Sequence, residues 1–565
     1  MKEKKLRDRL KLLFLGLFEN PLWFKEIRGK FRSIRFFWMH FSTVSMMSLA
    51  FFLAIAFMAS SEENSFEEIG RRLFFFFAVG QFLIVLFIFP AFSCTAINNE
   101  KTNHAFDLLI TTTLKPWEIF WGKFLSSFSY IYIFLISTLP LLAISFLFGG
   151  IHVEYIFWVY FFLFLLSLIV TIYSLYASAV HSSLSKAVSL TYTMVFLGSI
   201  LLLMGVGFVW NEWLDGGTRT PLQYYQSLSA KEQTNLLMKL FCIGHLYISL
   251  SILFFIAGVN RLKPTTANKS TNLRIWFLYF LLGGLIGSYY FCSETKQWTP
   301  TSLWLSFIYT QILLGFVCLI PMVWFTLEPI FLPLRLYRQS LKWTSWKMPL
   351  RMFWPGALSG FAFAFFFMVL IEIVFSLLLY NALTLENYRG KTTPEVLGLE
   401  SFWPTTILIL ILGFTFGQIL LFAQFYFPDL RKKTFFLGGL FLFITVVPLI
   451  IFFTDYNKWT QEKTLNTDTK LVQASWLNLY YLNPPLILYS SFQDLNYRKT
   501  QERGIDFFLS LPWGLYPLHL IGGFFYLNLG ILLAFWSLIT YGNQKRDYLQ
   551  QLNKLGGISF TPSSL

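Results

Sequence analysis

The chain has 565 residues, of which 56% are hydrophobic, 20% aromatic and only 13% charged, and its mean hydropathy is +0.58. Soluble domains carry about a quarter charged residues, so this much apolar surface excludes a soluble globular protein and implies a polytopic membrane protein. The formal net charge of +15 is assigned to loops and membrane flanks, and nucleic-acid binding is not inferred from it.

Met1 to Phe36 is strongly basic. Leu6, Leu10, Leu13 and Leu17 make one apolar face among Lys and Arg, the pattern of a helix lying in the membrane interface, although a plain basic anchor accounts equally for this half. Asn20-Pro21 breaks it, and a second amphipathic piece runs from Leu22 to Arg35. About twelve apolar runs follow that are long enough to cross roughly 30 Å of hydrocarbon. Their cores are 37–58, 73–94, 124–148, 155–180, 187–210, 238–259, 275–292, 302–326, 356–380, 404–426, 434–453 and 513–541. With the N-terminus inside, the inner segments hold 30 of the 44 Lys and Arg and the outer segments 14. Both termini are therefore expected in the cytosol, and so is the loop 95–123.

Within that loop, Glu100 to Lys123 is a polar island between two apolar runs. Ala105, Leu108, Leu109 and Thr112 fall at helical spacing and predict one apolar face. Asn103 is placed to cap this helix, Asp107 lies near its positive end, and Lys115-Pro116 stops it. A second short amphipathic piece, Trp117 to Lys123, leads into the next span. An ordinary solvated loop is the competing account.

These residues resemble the loop after the second span of ABC-2 type transporter permeases, the membrane subunits of ABC exporters. That family reads as an acidic-basic pair, a Gly-Thr step, "LDLLL", "TTPL", "PWEI" and "GK". Glu100 and Lys101 match the opening, and Phe106, Asp107, Leu108, Leu109 and Ile110 the middle. Thr111, Thr112, Leu114, Pro116, Trp117, Glu118, Ile119, Gly122 and Lys123 match the end. The chain departs from the pattern at Thr102, His104, Ala105 and Thr113. Gln81, Pro90, Ala91 and Ile97 suit the family's second span. Asn20, Pro21, Lys25, Glu26 and Arg28 resemble its elbow helix, "NP…KE.R".

The resemblance implies an all-α permease of two six-helix bundles in a bacterial plasma (inner) membrane: elbow helices in 1–36, a first bundle in 37–265 and a second, diverged bundle in 266–565. It implies export of an unidentified substrate, driven by separate ABC ATPase subunits that carry the ATP and Mg; the scarcity of charge in the spans and the abundance of Phe fit a lipid-like or amphipathic cargo. The coupling residues it implies are Glu100, Lys101, Phe106, Asp107, Leu108, Leu109, Thr112, Lys115, Pro116, Glu118 and Lys123. It also implies re-entrant outer gates near 219–228 and 476–492, where an interfacial aromatic belt is the alternative. A homodimer is implied if one chain does not complete the pore.

An internal duplication is read from Lys115–Ser127 against Met348–Gly360. Pro116, Phe120, Trp121, Leu125 and Ser126 face Pro349, Phe353, Trp354, Leu358 and Ser359. Gln81 and Pro90 resemble Gln311 and Pro321, and Pro221-Leu222 and Tyr225 resemble Pro485-Leu486 and Tyr489. The second cytosolic loop, Glu328 to Trp354, is basic through Arg335, Arg338, Lys342, Lys347 and Arg351. It fits an acidic ATPase surface or, with Trp343 and Trp346, a membrane-surface anchor.

No G-x-x-x-x-G-K-[ST] loop occurs, so a partner must supply the nucleotide chemistry. No catalytic motif stands out. Cys94, Cys242, Cys292 and Cys318 form no close pair and the six histidines lack ligand spacing, so neither disulfide nor metal site is predicted. No cleavable signal peptide is evident. Glu372 is the one acid within the spans, placed by its spacing near the hydrated outer headgroups. Gln81 and Gln311 lie mid-span and serve either helix packing or a translocation path. A second functional class is a polytopic membrane enzyme of glycan or lipid-linked sugar assembly, with its site in the outer loop 454–512 among Asp455, Glu462, Asp468, Asp494, Arg498, Glu502 and Arg503. A third is a structural membrane anchor.

Overall fold

A computed structural model of the chain describes residues 20–59, 66–103, 105–149, 151–196, 198, 221–264, 266–294, 317–331, 336, 352–385, 402–427, 429–441 and 518–556. Among them every regular element is helical. Among the described residues eight helices are long and apolar enough to cross a membrane: Phe36–Phe57, Phe66–Thr102, Pro116–Leu147, Val153–Val180, Ala230–Leu262, Ala357–Val374, Thr406–Tyr426 and Gly523–Tyr548. The protein is therefore a multi-pass helical membrane protein. It divides into two compact units, Met1–Gly283 and Gly284–Leu565, described here one at a time.

In the first unit, α1 (Pro21–Phe31) begins where the Asn20 side chain accepts a hydrogen bond from the Leu22 N–H at 3.0 Å, and Pro21 fills the first helical position. Arg32 closes it, so the helix ends four residues short of the expected Arg35. Ser33 then starts α2 (Ile34–Ala59), its hydroxyl accepting from the Phe36 N–H at 3.1 Å. Next, α3 (Phe66–Leu83) has Glu67 and Glu68 in its first turn, where the helix dipole favours acids.

A single π-turn, Ile84–Ile88, joins α3 to α4 (Phe89–Thr102). Pro90 gives the reason: its ring fixes φ and removes an N–H, and the hydrogen-bond ladder resets over a wider turn. The Tyr192 hydroxyl donates to the Phe87 carbonyl in this turn at 2.6 Å. Tyr192→Phe is expected to cost about 1 kcal/mol, read as a lowered unfolding midpoint of the purified protein in detergent. The apolar run expected at 73–94 thus becomes one 37-residue helical passage, Phe66–Thr102.

After the seven-residue α5 (Ala105–Thr111) come α6 (Pro116–Leu147) and α7 (Val153–Val180). The expected separate piece Trp117–Lys123 is the first two turns of α6. Residues 184–196 form α8, and α9 (Pro221–Ser227) is a short helix at the expected gate position. A capping box between Ser229 and Glu232 opens α10 (Ala230–Leu262), with Ser229 N–H to Glu232 Oε2 at 2.9 Å. Asn268 caps α11 (Thr271–Glu294), which is tied to α10 through Trp276 Nε1–H to Ser249 O at 2.7 Å. The main core gathers Phe51, Leu73, Phe77, Val85, Phe89, Ile131, Phe134, Leu142 and Val170 from α2, α3, the π-turn, α4, α6 and α7.

In the second unit, α12 (Val317–Thr326), α13 (Ala357–Leu385), α14 (Phe402–Tyr426), α15 (Leu430–Phe441) and α16 (Leu518–Gly556) are described. Met322, Ala364 and Leu420 bind α12, α13 and α14 together, while Ala357, Leu421 and Phe425 pack near Trp536 and Tyr541 of α16. Each of the twelve expected runs coincides with a helix over its described part. In α8, α12 and α15 that part is too short to count as a crossing by itself, as is the stretch Thr271–Gly287 of α11, and the rest of 187–210, 302–326 and 434–453 lies outside the described residues.

Candidate functional site

A buried ionic junction in the first unit brings together α1, α4 and the start of α6. Its centre is Lys123, on the second turn of α6 and 1% exposed. Its ammonium sits 2.6 Å from Glu26 Oε1 of α1 and 2.7 Å from Glu100 Oε1 of α4, and it donates to the Ala96 carbonyl at 3.1 Å. Two carboxylates and a carbonyl thus meet the three donors of one ammonium. Ser126 donates to Glu26 Oε2, and Lys30 donates to Ser126 Oγ at 2.9 Å. Burial lowers the Lys30 pKa from the ordinary lysine value; Glu26 opposes the shift and the Lys123 charge adds to it.

Each arm of the junction is locked to backbone. Asn20 Nδ2 donates to the Glu118 carbonyl at 2.6 Å, so the residue that caps α1 also fastens it to α6. Gly122 faces this contact, where a Cβ would lie 2.9 Å from Asn20 Oδ1. Glu118 Oε2 accepts from the Lys115 N–H at 2.9 Å, closing the first turn of α6. Lys101 donates to the Ser178 and Ala179 carbonyls at the end of α7, the first at 3.1 Å. Asn98 donates to the carbonyls of His181 and Ser182 at 3.1 and 2.9 Å, and Ser178 Oγ accepts from the Ile97 and Asn98 N–H groups. Around this polar centre lies an apolar collar of Leu22, Ile97, Ile119, Phe120, Phe124, Leu175 and Leu262.

The short helix α5 stands on that collar. Phe106 and Leu109 pack against it, as do Leu114 and Trp117, whereas Leu108 is 73% exposed and Thr112 is exposed. The expected apolar face of Ala105, Leu108, Leu109 and Thr112 is corrected accordingly: the buried side runs through Phe106 and Leu109. Asn103 is corrected too. It closes α4, its N–H bonding the Asn99 carbonyl at 3.1 Å. Asp107 stands in the first turn of α5. Lys115 is extended and exposed, and Pro116 is the first residue of α6.

Of the residues expected to couple to a partner, Glu100, Lys101, Glu118 and Lys123 make their bonds inside the chain, and Leu108 and Thr112 present an outer surface. Sequence reasoning missed the internal partners Ser126, Ser178 and Asn98, and gave Asn20 and Glu26 no partner. Glu26 and Lys123 are 97 residues apart, and neither helical periodicity nor hydropathy pairs residues at that distance.

Elsewhere in the first unit Gln81 is fully buried and donates to the Tyr160 hydroxyl at 2.9 Å, with Thr138 Oγ1 3.5 Å from the same hydroxyl. That arrangement joins α3, α6 and α7. Gln311 lies outside the described residues, as do the outer loop 454–512 and the gate position 476–492. In the second unit Glu372, the sixteenth residue of α13, is 1% exposed, so its side chain is buried within the protein. Gly356, which faces Lys123 in the internal alignment, donates its N–H to Glu328 Oε2 at 2.7 Å. Gln424 and Lys433 extend this contact, by Gln424 Nε2–H to the Glu328 carbonyl at 2.7 Å and Lys433 Nζ–H to Gln424 Oε1 at 2.6 Å. No protein-family model matches the chain, and neither does any curated protein or solved structure.

Proposed function

We propose that the protein is the membrane subunit of an ABC-2 type exporter, with both termini in the cytosol and a separate ABC ATPase supplying ATP and Mg. The observation that carries this reading is the junction itself. Of three segments whose residues resemble the family, Asn20–Arg28 and Glu100–Lys101 are each bonded directly to the third, Pro116–Lys123. A loop that only links two spans needs no such fastening. A part that transmits force does, because a push on α5 must reach α1, α4, α6 and α7 without being absorbed by slack.

In this reading α5 is the contact surface and Lys123 the rivet beneath it. Closure of the ATPase pair on ATP moves α5, and the spans rock from inward-open to outward-open. The apolar spans fit a lipid-like or amphipathic cargo, exported across a bacterial inner membrane by one chain or by a homodimer.

The test is co-purification with a candidate ABC ATPase, taken first from the neighbouring genes if one of them encodes it. Because Leu108 is 73% exposed, Leu108→Arg leaves folding within about 0.5 kcal/mol of wild type. It is expected to lower ATPase retention at least about ten-fold, the scale of one hot-spot side chain, and Asp107→Lys is expected to act in the same direction. Retention and ATPase activity equal to wild type in both variants would remove α5 from the coupling role.

A further inference from the structure

The outward side of α1 carries three cations that the junction does not use. Lys25, Arg28 and Arg32 line an open groove of about 630 Å³ together with Pro21, Phe24 and Gly29. All six residues are exposed, and among the described residues none of the three cations has an ion-pair partner. The single acid of α1, Glu26, lies on the other side and is held by Lys123. The helix is therefore sorted by charge: its acid faces the bundle, and its outer face is wholly basic.

An apolar surface continues from the groove. Phe24 and Phe31 are 46% and 42% exposed, and Ile34, Phe37, Trp38 and Phe41 at the start of α2 are 74%, 60%, 60% and 52% exposed. A ligand that matches the whole surface carries an anionic head and a greasy body. Free phosphate satisfies only the groove. The chain's own first nineteen residues are a poor occupant, since they contain six Lys and Arg against three acids and would place like charge on like. Two guanidinium groups on one face favour a phosphate oxyanion, which they grip in paired hydrogen bonds.

We propose that the Lys25–Arg28–Arg32 groove is a binding site for an anionic phospholipid, its phosphate held by the three cations and its acyl chains lying along the exposed face of α2. The site anchors α1 at the membrane surface from outside, as Lys123 anchors it from within. It is independent of what the protein transports and of whether an ATPase drives it.

The test uses the full-length protein purified in detergent and titrated with phosphatidylglycerol, with phosphatidylcholine and with inorganic phosphate, lipid retention being read by native mass spectrometry. Wild type is expected to hold phosphatidylglycerol at least about ten-fold more tightly than phosphatidylcholine, as an anionic surface attracts each added cation. The triple variant Lys25→Gln/Arg28→Gln/Arg32→Gln is expected to lose that preference. Lys25→Arg/Arg28→Lys is expected to keep it, as is Arg71→Gln/Arg72→Gln at the start of α3. Size-exclusion profiles matching wild type show that the triple variant is folded, as expected for exposed residues. Equal retention of both lipids by wild type, an undiminished preference in the triple variant, or displacement of the lipid by millimolar phosphate would each overturn the assignment. So would a groove that binds an acidic cytosolic protein with no lipid preference.

Discussion

Lys123→Met is expected to destabilise the first unit by roughly 3 kcal/mol, the lower end for breaking a buried ion pair by removing one partner. The Lys123 side chain is 2% exposed and balances two carboxylates; without it Glu100 loses its ion pair and Glu26 keeps Lys30, 4.0 Å away. The lower end applies because the Glu26 and Glu100 side chains keep 15% and 27% exposure and are partly reached by solvent. The readout is the unfolding midpoint in detergent, together with the yield of folded protein. Charge imbalance and lost packing are separated by the variant Glu26→Gln/Glu100→Gln/Lys123→Met, which replaces Lys123 and its two carboxylates with neutral groups of similar size and leaves the half-exposed Lys30 as the remaining charge. It should recover most of the lost stability, since a neutral isostere of a buried ion pair is often no worse than the pair. Equal damage in the single and triple variants would mean that the loss does not come from uncompensated carboxylate charge.

Gly360→Ala is the second large effect. Here the backbone of α13 passes so close to α12 that a Cβ on Gly360 would fall within the carbonyl group of Phe325. A flexible side-chain tip could swing aside, but a main-chain carbonyl cannot without moving the helix. The expected cost is about 2–3 kcal/mol, the upper part of the range for overpacking. Gly244→Ala in α10 provides the opposite sign: nothing lies within 4 Å of its Cβ position, and removing a helical glycine there should stabilise by up to about 1 kcal/mol. Unfolding midpoints that move in opposite directions support this packing; a neutral Gly360→Ala would not.

Residue type alone announces the parts of this fold that depend on hydropathy. The runs 37–58 and 155–180 coincide with α2 and α7 because a long apolar stretch must satisfy its backbone internally, and a helix does so locally. The π-turn at Ile84–Ile88 was not legible, since Ile-Val-Leu-Phe-Ile reads the same in either hydrogen-bond register. The role of Lys123 was also hidden. A lysine opening an apolar run ordinarily reaches for water, and only the distant Glu26 shows that this one turns inward. The resemblance did mark Glu26, Glu100 and Lys123, but as surface features; their mutual contact belongs to tertiary structure. On α5, spacing could not choose between Leu108 and Phe106 as the buried residue, because both lie on possible apolar stripes and the collar of Ile119 and Phe120 decides.

The passage Phe66–Thr102 has 37 residues, about 55 Å of helix at 1.5 Å per residue, whereas a bilayer core is roughly 30 Å thick. The passage therefore exceeds the hydrocarbon by about 25 Å, and α4 is attached to α3 through a turn whose hydrogen-bond register is irregular. From that turn to Thr102 the arm measures about 20 Å, so a swing of only about 10° would sweep its tip through some 3–4 Å, and Glu100 and Lys101 would drag α1, α6 and the end of α7 with it.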